Sequence, residues 1–225
     1  MSEQKRDALT DTEIRAYSVG HFLNDLCASM WFIYLNYYLI YVVGLSQGVA
    51  AAALLSGQIT DGITTPIVGF SSDQFNCKPG KRNTWYYFGT LLTIPSFMCI
   101  FVKTPAFLGV GQARNLWYIV WPAIFNVGWA CVQISHMSIV NQLSYSVRRR
   151  DRMVNNRNGA TYVANIAVLS VALVLFITIP LPTTSFTLLC LLCIVSGSCT
   201  SLFYVAKIKE NYLSEEAKIL EAEYQ

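Results

Sequence analysis

The sequence predicts an all-α membrane protein of six transmembrane helices. Three observations predict it. The chain is 54% hydrophobic and only 13% charged over its 225 residues, where a soluble domain carries about 25% charged residues. Six apolar runs follow one another, at 17–43, 47–71, 84–102, 115–141, 160–179 and 184–206. Each has roughly the 20 residues needed to cross a hydrocarbon core. Finally, 14 of the 16 Lys and Arg residues fall in the N-terminal segment, the 2–3 and 4–5 loops and the C-terminal segment, leaving only Lys103 and Arg114 on the other side. Positive charge is retained on the cytosolic side, so both termini are expected in the cytosol. Residues 1–15 read as a cytosolic tail, 16–207 as the bundle, and 208–225 as a tail or the start of a linker.

The first run is long and begins in a polar, mixed-charge segment that lacks the apolar core of a signal peptide. Gly44 to Gly48 turns on the outer side, and Cys77-Lys-Pro-Gly-Lys-Arg82 on the inner side. Pro66, Pro95 and Pro122 fall inside spans, where proline is tolerated and commonly kinks the helix. Ser144 to Asn158 is the longest and most basic internal loop. Its Arg148-Arg-Arg-Asp-Arg152 run reads as a topology anchor rather than a nucleic-acid patch. Aromatic residues from Trp31 to Tyr41, at Trp85-Tyr86-Tyr87, and at Trp117, Tyr118 and Trp121 read mostly as an interfacial belt. Six of the seven cysteines lie in apolar runs, where the thiol behaves as a small hydrophobe. Cys77 falls in a reducing loop. Cys190-x-x-Cys193 has no His or acid beside it and reads as packing.

Two acids lie well inside apolar spans, Asp25 and Asp61. A charge at that depth costs several kcal/mol and marks function by default. At about 1.5 Å per helical residue, Asp25, Asp61, His136 and Asn165 all lie roughly 12–18 Å from the basic edge. Four helices thus bring polar groups to one level near the bilayer centre, where transporters bind their cargo. The faces agree: His21 and Asp25 are i,i+4 with Asn24 beside them, Gln58, Asp61 and Thr65 share a side, and so do Asn126, Trp129, Gln133 and His136. Two readings stand for these residues. They either contact a solute, or join helices by hydrogen bonds. Two buried acids are an expensive way to join helices, so Asp25 and Asp61 point to a solute or a cation. No metal-ligand spacing, nucleotide loop or nucleophile–base motif occurs, so neither an enzyme nor a metal or cofactor is expected.

Gly69-Phe-Ser-Ser-Asp73 followed by Gly80-Lys81-Arg82 resembles the 2–3 loop signature of the major facilitator superfamily. Asp61-Gly-Ile-Thr-Thr-Pro66-Ile-Val-Gly69 is similar to its glycoside–pentoside–hexuronide cation symporter branch. YSVGHFLNDLCASMWF around Asp25, QISHMSIV and YVANI resemble a narrower group within the superfamily, over roughly residues 14–207. The resemblance implies a transporter of twelve helices in two halves, of which this chain matches the N-terminal six, so a second half or a dimer partner is implied. The shared faces of the polar residues assign Asp25, Asn24, His21, Gln133, His136 and Asn165 to the substrate, and the rest comes from the resemblance. It gives Asp61, Thr65 and Gln58 to coupling, and Gly69, Asp73, Gly80, Lys81 and Arg82 to conformational exchange.

Departures from the pattern bear on coupling. The branch carries a second acid where Thr65 stands, and a third on Gln133; the acid of a Pro-Glu-Leu string is absent at Asn141-Gln142-Leu143. One carboxylate in place of three argues against Na⁺, and proton coupling through Asp61 or His136, or facilitated transport, fits better. The wide branch implies sugars, and the narrower group implies cysteine import into lysosomes and related organelles, with the plasma membrane as the alternative. Glu215 to Leu220 faintly resembles an acidic dileucine sorting signal. A truncated, non-transporting protein that regulates a full-length partner is the rival reading. A channel-like pore is disfavoured by the apolar outer halves of the spans.

Overall fold

A computed structural model describes residues 9–74, 80–144 and 146–210, and among these every regular element is helical. Cys77 and the sorting-signal segment lie outside the described residues. The helices are α1 (Asp11–Val19), α2 (Phe22–Tyr37), α3 (Gln47–Gln74), α4 (Lys81–Phe101), α5 (Gln112–Leu143), α6 (Val147–Thr178) and α7 (Pro182–Lys207). A π-helical turn, Tyr38–Val42, extends α2, and a 3₁₀ turn, Ala106–Leu108, precedes α5.

The first apolar run differs from the single continuous span its composition predicts. It breaks at Gly20–His21, and α1 starts upstream of the run at Asp11. That start has a local cause. Thr10 caps the helix, its hydroxyl accepting from the Glu13 N–H at 3.3 Å, while the Glu13 carboxylate accepts from the Thr10 N–H at 2.7 Å. This reciprocal pair satisfies two N–H groups that a helix start leaves open. Glycine at the break is required by crowding. A Cβ on Gly20 would stand 2.5 Å from Tyr204 Cδ2 and 2.8 Å from His136 Nε2.

Packing divides the helices into two groups. In one, α5 packs most extensively against α3 and α4; in the other, α2 packs against α6 and α7, with α1 laid across α6 and α7. The tightest seam is α4 on α5. A Cβ on Gly89 would lie 2.7 Å from the Gly128 carbonyl oxygen, and one on Gly128 would lie 2.8 Å from the Thr93 nitrogen, so two backbones touch where only glycine fits. Gly69, expected to permit such an approach, does not make one within this chain, since its nearest neighbour would be Ile134 Cγ2 at 4.0 Å. Polar bonds cross between helices as well. Ser56 Oγ donates to Ile119 O, Trp117 Nε1 to Cys99 O and Thr187 Oγ1 to Phe101 O.

The aromatic residues divide in a way their clustering did not suggest. Trp31, Tyr38, Tyr86 and Tyr118 are buried in the core rather than forming a belt. Helical periodicity turns these members of each aromatic stretch inward, while Phe32, Tyr37 and Tyr41 face out. Outside, α6 exposes Tyr162, Val163, Ile166, Leu169, Leu173, Val174 and Ile177. Helices α5, α6 and α7 are each long and apolar enough to cross a membrane. An apolar outer face with polar groups turned inward is the reverse of a water-soluble bundle.

Candidate functional site

The break between α1 and α2 is where the polar residues converge. Ending α1 at Val19 leaves carbonyls short of helical partners, and side chains from other helices bond two carbonyls there, of which Tyr17 O also accepts from the Gly20 N–H. Tyr86 of α4 donates its hydroxyl to Gly20 O at 2.6 Å. His136 of α5 bonds Tyr17 O through Nε2 at 2.8 Å. A carbonyl only accepts, so His136 carries its proton on Nε2 and presents a bare lone pair at Nδ1. Its ring stacks on Tyr17 with centroids 4.4 Å apart, and the tilted Tyr204 ring of α7 lies 5.3 Å from it.

His21 opens α2 and bonds Asp25 one turn later, Nδ1 to Oδ1 at 2.9 Å. Both side chains are buried. Arg157 of α6 approaches the same His21 nitrogen, its Nη2 at 3.5 Å. The His21 and His136 rings lie 5.6 Å apart. Asn24 faces α5 and donates to Trp129 O at 3.1 Å. Buried and unpartnered in this one cluster are His21 Nε2, Asp25 Oδ2, Asn24 Oδ1, His136 Nδ1 and Arg157 Nε. Buried polar atoms are rarely left without partners, so this cluster has room in its bonding for a proton, a water or a solute.

The remaining expected residues stand apart from it. Asn165 of α6 accepts from Ser29 of α2, and Gln133 accepts from Trp129 Nε1 on its own helix. Asp61 is half-buried and accepts from Thr65 Oγ1 at 3.2 Å, also within its own helix. Gln58 is exposed on α3. Arg157 and Tyr17 were missed by sequence reasoning, which used Arg157 only as a marker of the membrane edge. The signal available was its spacing, eight residues before Asn165 on the same helix, but nothing local pairs it with His21, 136 positions away.

The glycine-and-charge motif forms a compact network where the end of α3, the start of α4 and the end of α7 come together. Arg82 Nη2 bonds Asp73 Oδ1 at 2.7 Å, and Lys81 Nζ donates to Asp73 O at 2.9 Å. Arg82 Nε also donates to Ser138 of α5. Glu210, just past α7, accepts from the backbone N–H groups of Arg82 and Asn83 at 2.8 and 3.0 Å. A carboxylate there meets the positive end of the α4 dipole. Gly80 holds φ at +110°, and any Cβ on it would strike the Glu210 side chain at 2.5 Å. Glu210 was not anticipated, because its partners lie more than 120 positions away.

An all-helical bundle with an apolar exterior, a polar seam across a broken helix and this charged motif has the build of a membrane transporter. The chain belongs to the major facilitator superfamily: the family model described as MFS/sugar transport protein matches residues 16–219. It is 40% identical to major facilitator superfamily domain-containing protein 12 of Mus musculus over 163 residues, covering 70% of this chain and 34% of that protein. The Homo sapiens protein of the same name is 42% identical over 165 residues, with the same coverage. A sodium-dependent lysophosphatidylcholine symporter 1 of Xenopus tropicalis is 26% identical over 125 residues, 55% of this chain and 23% of that protein. The chain spans about a third of the length of these domain-containing protein 12 relatives.

Proposed function

We propose that this chain forms the N-terminal six-helix half of a secondary transporter, with six transmembrane spans, both termini in the cytosol, and a small polar solute as cargo. The observation that carries this reading is the buried Asp25 carboxylate with one oxygen unpartnered, held beside His21 in a chain that belongs to a transporter family. A carboxylate and a nearby guanidinium at Arg157 suit a cargo with an ammonium and a carboxylate, such as cysteine, better than a sugar. Asp25, Asn24, His21, Gln133, His136 and Asn165 line the substrate side of the reading, and Asp61 with Thr65 and Gln58 the coupling side. A proton is the favoured coupling ion over Na⁺, since Asp61 has a hydroxyl and not a second carboxylate as its partner. A second six-helix half or a second copy supplies the opposing wall of the cavity. A lysosomal or related membrane is the favoured location.

The test is uptake of radiolabelled cysteine, with a pentose as comparison, into proteoliposomes containing a protein with both halves. Asp25→Asn is expected to abolish saturable binding of the cargo while the protein still folds. Normal binding and transport by this variant would remove Asp25 from the site and with it the reading.

A further inference from the structure

The arginine run at the start of α6 takes no part in the polar cluster described above. It lines a cavity of about 1090 Å³. Residues between Ser146 and Asn156 form one wall, and Leu9, Thr10, Asp11 and Ile14, around the start of α1, form the other. Two contacts tie the walls together. Arg149 Nη1 donates to Leu9 O at 3.2 Å, and Arg152 Nη1 bonds Asp11 Oδ1 at 3.1 Å. Two guanidiniums are therefore held at the cavity in advance. Arg148 lines the same space and, among the described residues, has neither an ion pair nor a side-chain hydrogen bond. Arg150 belongs to the same run but does not line the cavity. Two residues along a helix turn through about 200°, which puts Arg150 on the other side of α6 from Arg148.

Charge and position both bear on what fits there. Arg148, Arg149 and Arg152 line the cavity against Asp11 and Asp151, three cations to two acids, so one positive charge is left over. Thr10, Ser146, Asn155 and Asn156 add hydroxyl and amide groups. Leu9 and Ile14, both buried, are its apolar part. Six residues after Asn156 the outer face of α6 turns apolar at Tyr162, about 9 Å along the helix axis. From there Ile166, Leu169, Leu173 and Ile177 continue it, on a helix long and apolar enough to cross a membrane. The near end of the cavity thus lies beside the hydrocarbon edge, where lipid headgroups are. Basic pockets between membrane helices bind such headgroups, and guanidinium suits phosphate oxygens. We propose that this cavity binds the phosphodiester of an anionic phospholipid with a hydroxyl-bearing headgroup. The left-over positive charge matches the single charge of a phosphodiester. Arg148 supplies the unpaired guanidinium, the asparagine amides suit the hydroxyls of a polyol such as inositol, and Asp151 opposes the anion. A bound lipid would add a third tie between the start of α1 and α6. None of this rests on the transport reading.

Native mass spectrometry of the full chain released from detergent tests this, with phosphatidylinositol, phosphatidylcholine and inorganic phosphate as the three probes. The expected result is saturable binding of phosphatidylinositol, tighter than that of phosphatidylcholine, which carries no net charge. Arg148→Gln should weaken it about fivefold, the effect of one guanidinium near a membrane surface. Arg150→Gln removes the same charge from the same run and should change it less than about twofold, because at physiological salt a charge beyond about 8 Å is largely screened. Asp151→Asn should strengthen binding. Equal losses in the two arginine variants would mean that charge alone attracts the lipid, and would overturn the site. Phosphatidylcholine binding as tightly as phosphatidylinositol, or no saturable binding at all, overturns it as well. If inorganic phosphate displaces the lipid as readily as free phosphatidylinositol does, the cavity takes a soluble anion and the lipid assignment falls. Should Arg148→Gln fail to fold, Asp151→Asn decides: no gain in affinity overturns the proposal.

Discussion

His136 of α5 lies flat against Tyr17 of α1, ring centroids 4.4 Å apart, and donates its Nε2–H to the Tyr17 carbonyl at 2.8 Å. The contact joins residues 119 positions apart. It gives a second donor to a carbonyl that already accepts from the Gly20 N–H at 3.0 Å, and so ties the end of α1 to α5.

His136→Ala should therefore act on the helix break rather than on the whole bundle. The Tyr17 carbonyl keeps the Gly20 N–H, so the lost hydrogen bond costs about 0.5–1.5 kcal/mol. Thermal unfolding in detergent should show that loss, and amide exchange should rise first at residues 17–22. His136→Gln, which keeps a donor, should recover part of it. Uniform destabilisation with no local change would contradict a capping role.

Gly20→Ala tests the crowding at the same place. Its Cβ would come within 2.5 Å of the Tyr204 ring and 2.8 Å of His136. Overpacking of this kind costs about 1–3 kcal/mol. Adding Tyr204→Leu should relieve much of the strain. If Gly20→Ala alone is neutral, the break is looser than these distances state.

At the charged motif, two contacts should behave differently. The Asp73 side chain is 64% exposed, so its pair with Arg82 is worth under about 1 kcal/mol of stability. Asp73→Asn is expected to slow transport by shifting the balance of conformations without abolishing substrate binding. Glu210 is 3% exposed and caps α4 through two backbone N–H groups, so Glu210→Ala should destabilise by about 1–2 kcal/mol. Equal effects of the two substitutions on unfolding would show that burial at Glu210 is not what matters.

In a protein carrying both halves, Asp61→Asn should abolish pH-dependent accumulation and leave some downhill exchange, because the carboxylate and not the helix would carry the proton. Retained accumulation would exclude Asp61 from coupling.

Topology can be checked with single cysteines read by an impermeant thiol reagent. Residues 147–152, which the structure makes the start of α6 and not a loop, and residues ahead of α1 should react from the same, cytosolic side, since 14 of 16 Lys and Arg residues lie in the segments expected there. Labelling of residues 147–152 from the opposite side would overturn the six-span arrangement.

The sequence by itself determined that the chain is helical and apolar outside, which helices carry polar groups, and that glycines and charges cluster at Gly69 to Asp73 and Gly80 to Arg82. These follow from composition, 3.6-residue periodicity and local glycine and charge spacing, all of which are short-range properties. It also singled out His21 and Asp25, because an i,i+4 pair shares a face on any helix. The break at Gly20–His21 was not legible, since the apolar run continues through it, and the groups that bond its carbonyls and crowd its glycine, Tyr86, His136 and Tyr204, come from three other helices. Tertiary structure alone decided that Arg157 meets His21 and that Glu210 caps α4. It also decided that Asp61 turns to Thr65 on its own helix. Partners more than a hundred positions apart are chosen by how helices pack, and no periodicity within one helix records which side chain will stand opposite.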